Sequence, residues 1–166
     1  MAETLAATAR RFYEQGWGAG DRRVVDRICV EDMVDQHHGT TGRDALWATV
    51  ASLRATFPDL AVIVRNQLTQ ADMVVSELTM SGSDTGGLFS LPASNLLMEI
   101  EVIFIDRFHE GRIVEHRGLS DMWGMLRQLH VVPPTWKGDR LSGSVDQYHP
   151  AGRGDPTARW DRVYRP

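Results

Sequence analysis

Apolar positions recur at helical spacing in the first third of the chain and at strand spacing after about residue 60. Leu5, Ala9, Phe12, Tyr13 and Trp17 share one helical face, which predicts an amphipathic helix over about residues 3–16. Gly16, Gly18 and Gly20 are expected to close it, because glycine takes the left-handed C-terminal conformation without a steric penalty. Asp21 suits the N-cap of a short second helix carrying Val24, Val25 and Ile28. The segment DMVDQHHGTTG, residues 32–42, reads as a loop. Leu46, Val50, Leu53 and Phe57 then mark a third helix, stopped by Pro58.

Strands are predicted at about 60–68, 72–83, 96–108 and 112–118. In the third of these the even positions Met98, Ile100, Val102, Phe104, Asp106 and Phe108 are the more apolar set, so they should face the interior. Val74, Leu78, Met80 and Asp84 share the inward face of the preceding strand, with Asp84 and Asp106 expected at solvated rims. The turn after Phe108 suits a three-residue loop ending in left-handed Gly111. That register sets Phe104 opposite His116 and turns His116 inward, whereas a two-residue loop would expel it. Asp121 can cap a last short helix, DMWGMLRQLH. Helices followed by an antiparallel meander make an α+β domain over residues 1–131, with helices covering one face of a curved sheet around a mostly apolar pocket. Residues 132–166, rich in Pro, Gly, Asp and Arg, read as an irregular tail whose aromatic residues dock on the body or on a neighbouring subunit.

Composition narrows the function. The 166 residues carry 22 acidic and 18 basic side chains, so the net charge of -4 leaves no footprint for nucleic acid or a membrane surface. No apolar run approaches a bilayer span, and the first residues lack a signal pattern, so a cytoplasmic protein is expected. The single cysteine, Cys29, excludes an internal disulfide and a cysteine metal cluster, and the spacing of His37, His38 and nearby carboxylates is not a familiar metal-ligand set. Asp35 and His37 stand just before the third helix, where polar residues can either line a pocket or simply belong to a loop. A Ser-Asp pair before an apolar run makes Asp121 either a helix cap or a carboxylate poised for acid-base work. No G-x-S-x-G nucleophile motif is present.

FPDL (57–60), the run Val74–Gly86 containing SGSDTG, the hairpin RFHEGRIVEHR (107–117) and SDMWGMLRQL (120–129) together resemble the SnoaL-like polyketide cyclases of the NTF2-like superfamily, over about residues 5–131. The resemblance implies a cone-shaped α+β barrel with a closed apolar pocket and no cofactor. It also implies a homodimer, to which the mixed outer face of Ile103 and Ile105 among Glu99, Glu101 and Arg107 is suited. Asp121 matches the general acid/base of an intramolecular aldol closure, and His116 and Arg117 match the preceding His-Arg pair. Trp17 matches a pocket aromatic, and Asp35 stands where a pocket asparagine can occur. Substrate contacts are expected from Trp17, Asp35, His37, Leu78, Met80, Val102, Phe104 and Arg117. The chain departs from the pattern at Phe104, at Asp84 and at LPAS (91–94). The expectation is therefore a cofactor-independent cyclase acting on a hydrophobic natural-product intermediate, with Asp121 and His116 as catalytic pair. Epoxide opening or dehydration, with Asp35, Asp106 or Asp121 activating the nucleophile, and passive small-molecule binding remain alternatives.

Overall fold

Thr4 starts the first helix, its hydroxyl accepting from the Ala7 amide at 3.2 Å. In this computed structural model, which describes residues 3–132, α1 (Leu5–Arg11) runs directly into a π-helical segment, Phe12–Gly18. The Ala19 amide bonds back five residues to the Glu14 carbonyl at 3.0 Å. The wider turn buries Phe12, Tyr13, Gly16 and Trp17 together. The expected stop at Gly16 is therefore corrected: Gly16 and Gly18 lie inside the helical segment, and Gly20 alone of the three turns left-handed, at φ +70°. The Asp21 carboxylate caps α2 (Arg22–Ile28) by accepting from the Arg23 amide. α3 (Arg43–Thr56) buries Leu46 and Val50 and ends before Pro58, as its pattern predicts.

The strands are β1 (Cys29–Asp35), β2 (Thr40–Thr41), β3 (Ala61–Gln70), β4 (Met73–Ser83), β5 (Leu97–His109) and β6 (Arg112–Ser120). They form one sheet in the order β2-β1-β6-β5-β4-β3. All neighbours are antiparallel except β1 and β6, so the sheet is mixed rather than antiparallel, and it is open rather than a closed barrel. Residues 32–42, read above as a loop, supply most of β1 and all of β2. β1 buries Met33 and Asp35 while Asp32 and Val34 face out, so its inner side carries a carboxylate and its alternation escapes a search for apolar residues.

The parity expected of β5 is observed, with Met98, Ile100, Val102, Phe104, Asp106 and Phe108 all buried. These side chains meet Val62, Val64, Val74, Leu78 and Met80 from β3 and β4 and Phe12, Tyr13 and Trp17 from the helical layer. The hairpin from β5 to β6 corrects another expectation. His109 pairs with Arg112 across a two-residue loop, Glu110 and Gly111, both left-handed at φ 48° and 76°. Such a loop alone would turn His116 outward. A bulge restores it: Phe108 pairs with Ile113 but Arg107 pairs with Glu115, leaving Val114 as the extra residue. His116 is fully buried, opposite Asp106 rather than Phe104, which faces Gly118. α4 (Met122–Gln128) follows, and the predicted tail beyond residue 132 lies outside the described residues.

Candidate active site

The centre of the buried face is a chain of three side chains from three elements. Asp106, inward on β5, accepts from the Tyr13 hydroxyl at 2.5 Å through one oxygen and from the His116 Nδ1–H at 2.8 Å through the other. All three residues are fully buried. Burial, and then the charge of Asp106, push the Tyr13 phenol well above its ordinary value, so it stays protonated and donates. With Nδ1 held by the carboxylate, the free valence of His116 is Nε2, which is buried and has no hydrogen-bond partner. A buried polar atom left unmatched costs about 1–3 kcal/mol, so it calls for a reason. The Trp17 Nε1–H is buried and unmatched in the same way, on an indole whose ring lies 5.9 Å from the imidazole. One orphan acceptor and one orphan donor thus stand side by side.

Phe104 packs these rings together. It stacks on Tyr13 at 5.2 Å and lies 4.5 Å from His116 and 5.7 Å from Trp17. Gly118 makes this possible, because a Cβ there would collide with the Phe104 ring. A second carboxylate-histidine pair adjoins the first. Asp35 on β1 is the register partner of His116 on β6, and the amide of Gln36 donates to the His116 carbonyl at 2.8 Å. The buried Asp35 carboxylate accepts from the amides of His37 and His38 and from His38 Nδ1 at 2.8 Å. Burial alone would raise Asp35, but the His38 side-chain hydrogen bond and the nearby His116 hold it below the usual carboxylate value. His37 instead donates its Nδ1–H to the Gly118 carbonyl at 3.0 Å, and burial lowers its pKa, so its ring is neutral at pH 7.

Among the residues expected from sequence, His116, Trp17, Asp35, Leu78, Met80, Val102 and Phe104 are buried on the inner face, and His37 is partly buried beside them. Asp121 and Arg117 are not. Beyond the bulge, His116, Gly118 and Ser120 point inward, so Arg117, Leu119 and Asp121 take the opposite side. Asp121 is exposed, and its carboxylate accepts from the Gly124 amide at 2.8 Å as the cap of α4. The expected contact of Asp121 with His116 is replaced by that of Asp106 with His116. Asp106 and Asp84, expected at solvated rims, are both fully buried. Tyr13 and His38 are absent from the residues expected at the site, and Asp106 is expected there only under the epoxide-opening or dehydration alternative. Tyr13 blends into an apolar helix stripe, whereas Asp106 sits between Phe104 and Phe108 in the inward set, a usable signal. Among the described residues no group of three metal-ligating side chains converges, and no helix is long and apolar enough to cross a membrane.

The family model for SnoaL-like polyketide cyclases matches residues 7–129. The chain belongs to that family. No curated protein matches it in sequence. Among solved structures, a SnoaL-like polyketide cyclase candidate from Jannaschia superposes with a TM-score of 0.70 at 22% identity, over 80% of this chain and 99% of that one. IdmH from Streptomyces antibioticus, assigned as a polyketide cyclase, gives 0.68 at 24% identity over 76% and 99%. AclR from Streptomyces galilaeus, assigned as a hydroxylase, gives 0.69 at 19% identity over 84% and 96%. At these identities the likeness concerns the fold.

Proposed function

We propose that this SnoaL-like protein is a cofactor-independent cyclase-type enzyme whose general base is the Nε2 of His116. The substrate is a hydrophobic, enolisable polyketide-like carbonyl compound. The single observation behind this reading is the buried Nε2, free of any partner, on an imidazole whose other nitrogen is held by Asp106. A carbonyl oxygen beside an acidic C–H complements the two orphans: Trp17 Nε1–H donates to the oxygen and His116 Nε2 takes the proton. Asp106 stabilises the imidazolium that forms, and Tyr13 holds the far oxygen of Asp106. Leu78, Met80, Val102 and Phe104 supply the apolar wall. Asp121 caps a helix in this reading and takes no part in proton transfer.

The test uses a fused-ring aromatic carrying a β-keto methyl ester and a neighbouring ketone side chain. In D2O the enzyme should exchange the acidic C–H and then close the ring, both read by proton NMR. His116→Gln should slow exchange by about 10²–10⁴-fold, the usual contribution of a positioned base. A wild-type protein that binds the probe and returns it unexchanged would instead be a carrier. We also infer a homodimer through the outer sheet face, where Ile103 pairs with Leu119 and both are exposed, at 49% and 79%. A solution mass of a single chain overturns that assembly.

A further inference from the structure

We infer that His38, held by Asp35, is the proton donor of the same reaction, so that the site works with two carboxylate-histidine pairs of opposite duty. This inference rests on the reading of His116 as base. Four observations carry it.

The first is geometry. The His116 and His38 rings both neighbour one indole, Trp17, with centroids 5.9 Å and 6.4 Å from it. The second is anchoring. Each imidazole gives Nδ1 to a buried carboxylate, at 2.8 Å in both pairs; His116 Nε2 is buried without a partner, and His38 lies at the exposed edge of the cluster. The third is linkage through the backbone, since Asp35 and His116 are register partners on adjacent parallel strands, joined by the bond from the Gln36 amide to the His116 carbonyl.

The fourth observation separates the duties. His116 and Asp106 are fully buried, whereas the His38 side chain is 30% exposed over a buried Asp35. A dry imidazole suits a base that must hold a proton away from water through a single step. A half-wet imidazole can recover its proton from solvent between turnovers. Asp35, kept ionised by His38 against the pull of burial, provides the counter-charge that a cationic His38 needs. Neighbouring His37 is unsuited to the role. Its Nδ1–H is committed to the Gly118 carbonyl, and burial keeps it neutral.

The chemistry balances without any other reactant. His116 Nε2 takes the proton from the α-carbon, and the electron pair of that C–H bond becomes the enolate. The enolate carbon forms the new C–C bond to the second carbonyl carbon, whose C=O π pair moves to oxygen. His38 Nε2–H protonates that alkoxide. Between turnovers one proton leaves His116 and one is taken up by His38, so the net change is one C–H and one C=O π bond exchanged for one C–C and one O–H bond.

The same aromatic β-keto ester separates the two steps. His38→Gln should leave C–H exchange in D2O at the wild-type rate while ring closure falls by about 10²–10⁴-fold, the usual weight of a positioned acid. Asp35→Asn should shift the ratio the same way, by less, and a thermal melt confirms that each variant is folded. Ring closure by His38→Gln at the wild-type rate overturns this inference and leaves His116 as base. Loss of exchange and closure together in a folded His38→Gln also overturns it, because His38 would then serve the first step. A wild-type protein that does not exchange the C–H overturns the reading of His116 and this inference with it.

Discussion

Asp84, just past β4, and Asp106, inside β5, are both fully buried and differ in what they hold. Asp84 accepts from the Gly87 amide, the Ser94 amide and the Ser94 hydroxyl, at 2.7–2.9 Å. These are backbone and hydroxyl donors, and their effect is to pin the loop between β4 and β5. Asp106 accepts from a phenol and an imidazole, groups that can exchange protons, one of them ending in an unmatched nitrogen. Burial is equal and carries no functional information here. The chemistry of the partner, and whether the hydrogen-bond chain ends or stays open, distinguishes a structural carboxylate from one set up for chemistry.

The strongest way to break this comparison is to make the same substitution at both positions. Asp106→Asn should reduce ring closure by about 10²–10⁴-fold, since an amide neither fixes the imidazole tautomer nor balances the imidazolium. Asp84→Asn should leave turnover per folded molecule unchanged and lower stability by about 1–3 kcal/mol, because the amide NH2 faces donors. Kinetics and denaturant melts on the two variants decide it, and a reversed pattern would move the site to Asp84.

A smaller effect is expected at Asp121. Asp121→Ala should cost about 0.5–2 kcal/mol as a lost cap, while Asp121→Asn, which still caps, should cost little. Turnover should be untouched in both. A hundredfold loss in a normally melting Asp121→Asn would displace His116 from the centre of the mechanism.

The smallest effect sharpens the contrast between His37 and its neighbours. Burial depresses the pKa of His37, so on acidification the unfolded chain gains a proton before the folded one does. Stability should therefore fall as pH drops through about 6.5, the usual histidine value, and be flat above it. Asp35, also depressed, contributes stability above the usual carboxylate value and loses it only at lower pH. Melting temperatures between pH 7 and 5 should fall, and His37→Gln should flatten that fall.

The fold was legible wherever burial follows apolar alternation. Parity alone placed Val102, Phe104 and Asp106 inside, and the shift of period near residue 60 located the meander. What escaped was polar burial. β1 hid because its inner face includes Asp35, and Asp106 was assigned to a rim although its parity was read correctly. The orientation of His116 was expected for a reason that did not hold, since the loop has two residues and the bulge at Val114 supplies the missing step. Sequence spacing cannot tell a three-residue loop from a two-residue loop with a bulge, because both preserve the face. Tyr13 was counted as core, and only the structure shows its hydroxyl reaching Asp106.

The bulge at Val114 acts as a selector between two chemistries on one scaffold. Residues beyond it alternate, with His116 on one side of β6 and Arg117 and Asp121 on the other. Flattening the bulge with every residue kept would pair Arg107 with Val114, slip the strand beyond it by one residue and exchange the two sets. One residue inserted beyond the bulge would do the same, turning His116 outward and Arg117 and Asp121 inward while β1 and β5 remain the neighbouring strands. A lineage built on this sheet can try a different acid-base residue without first inventing a new fold.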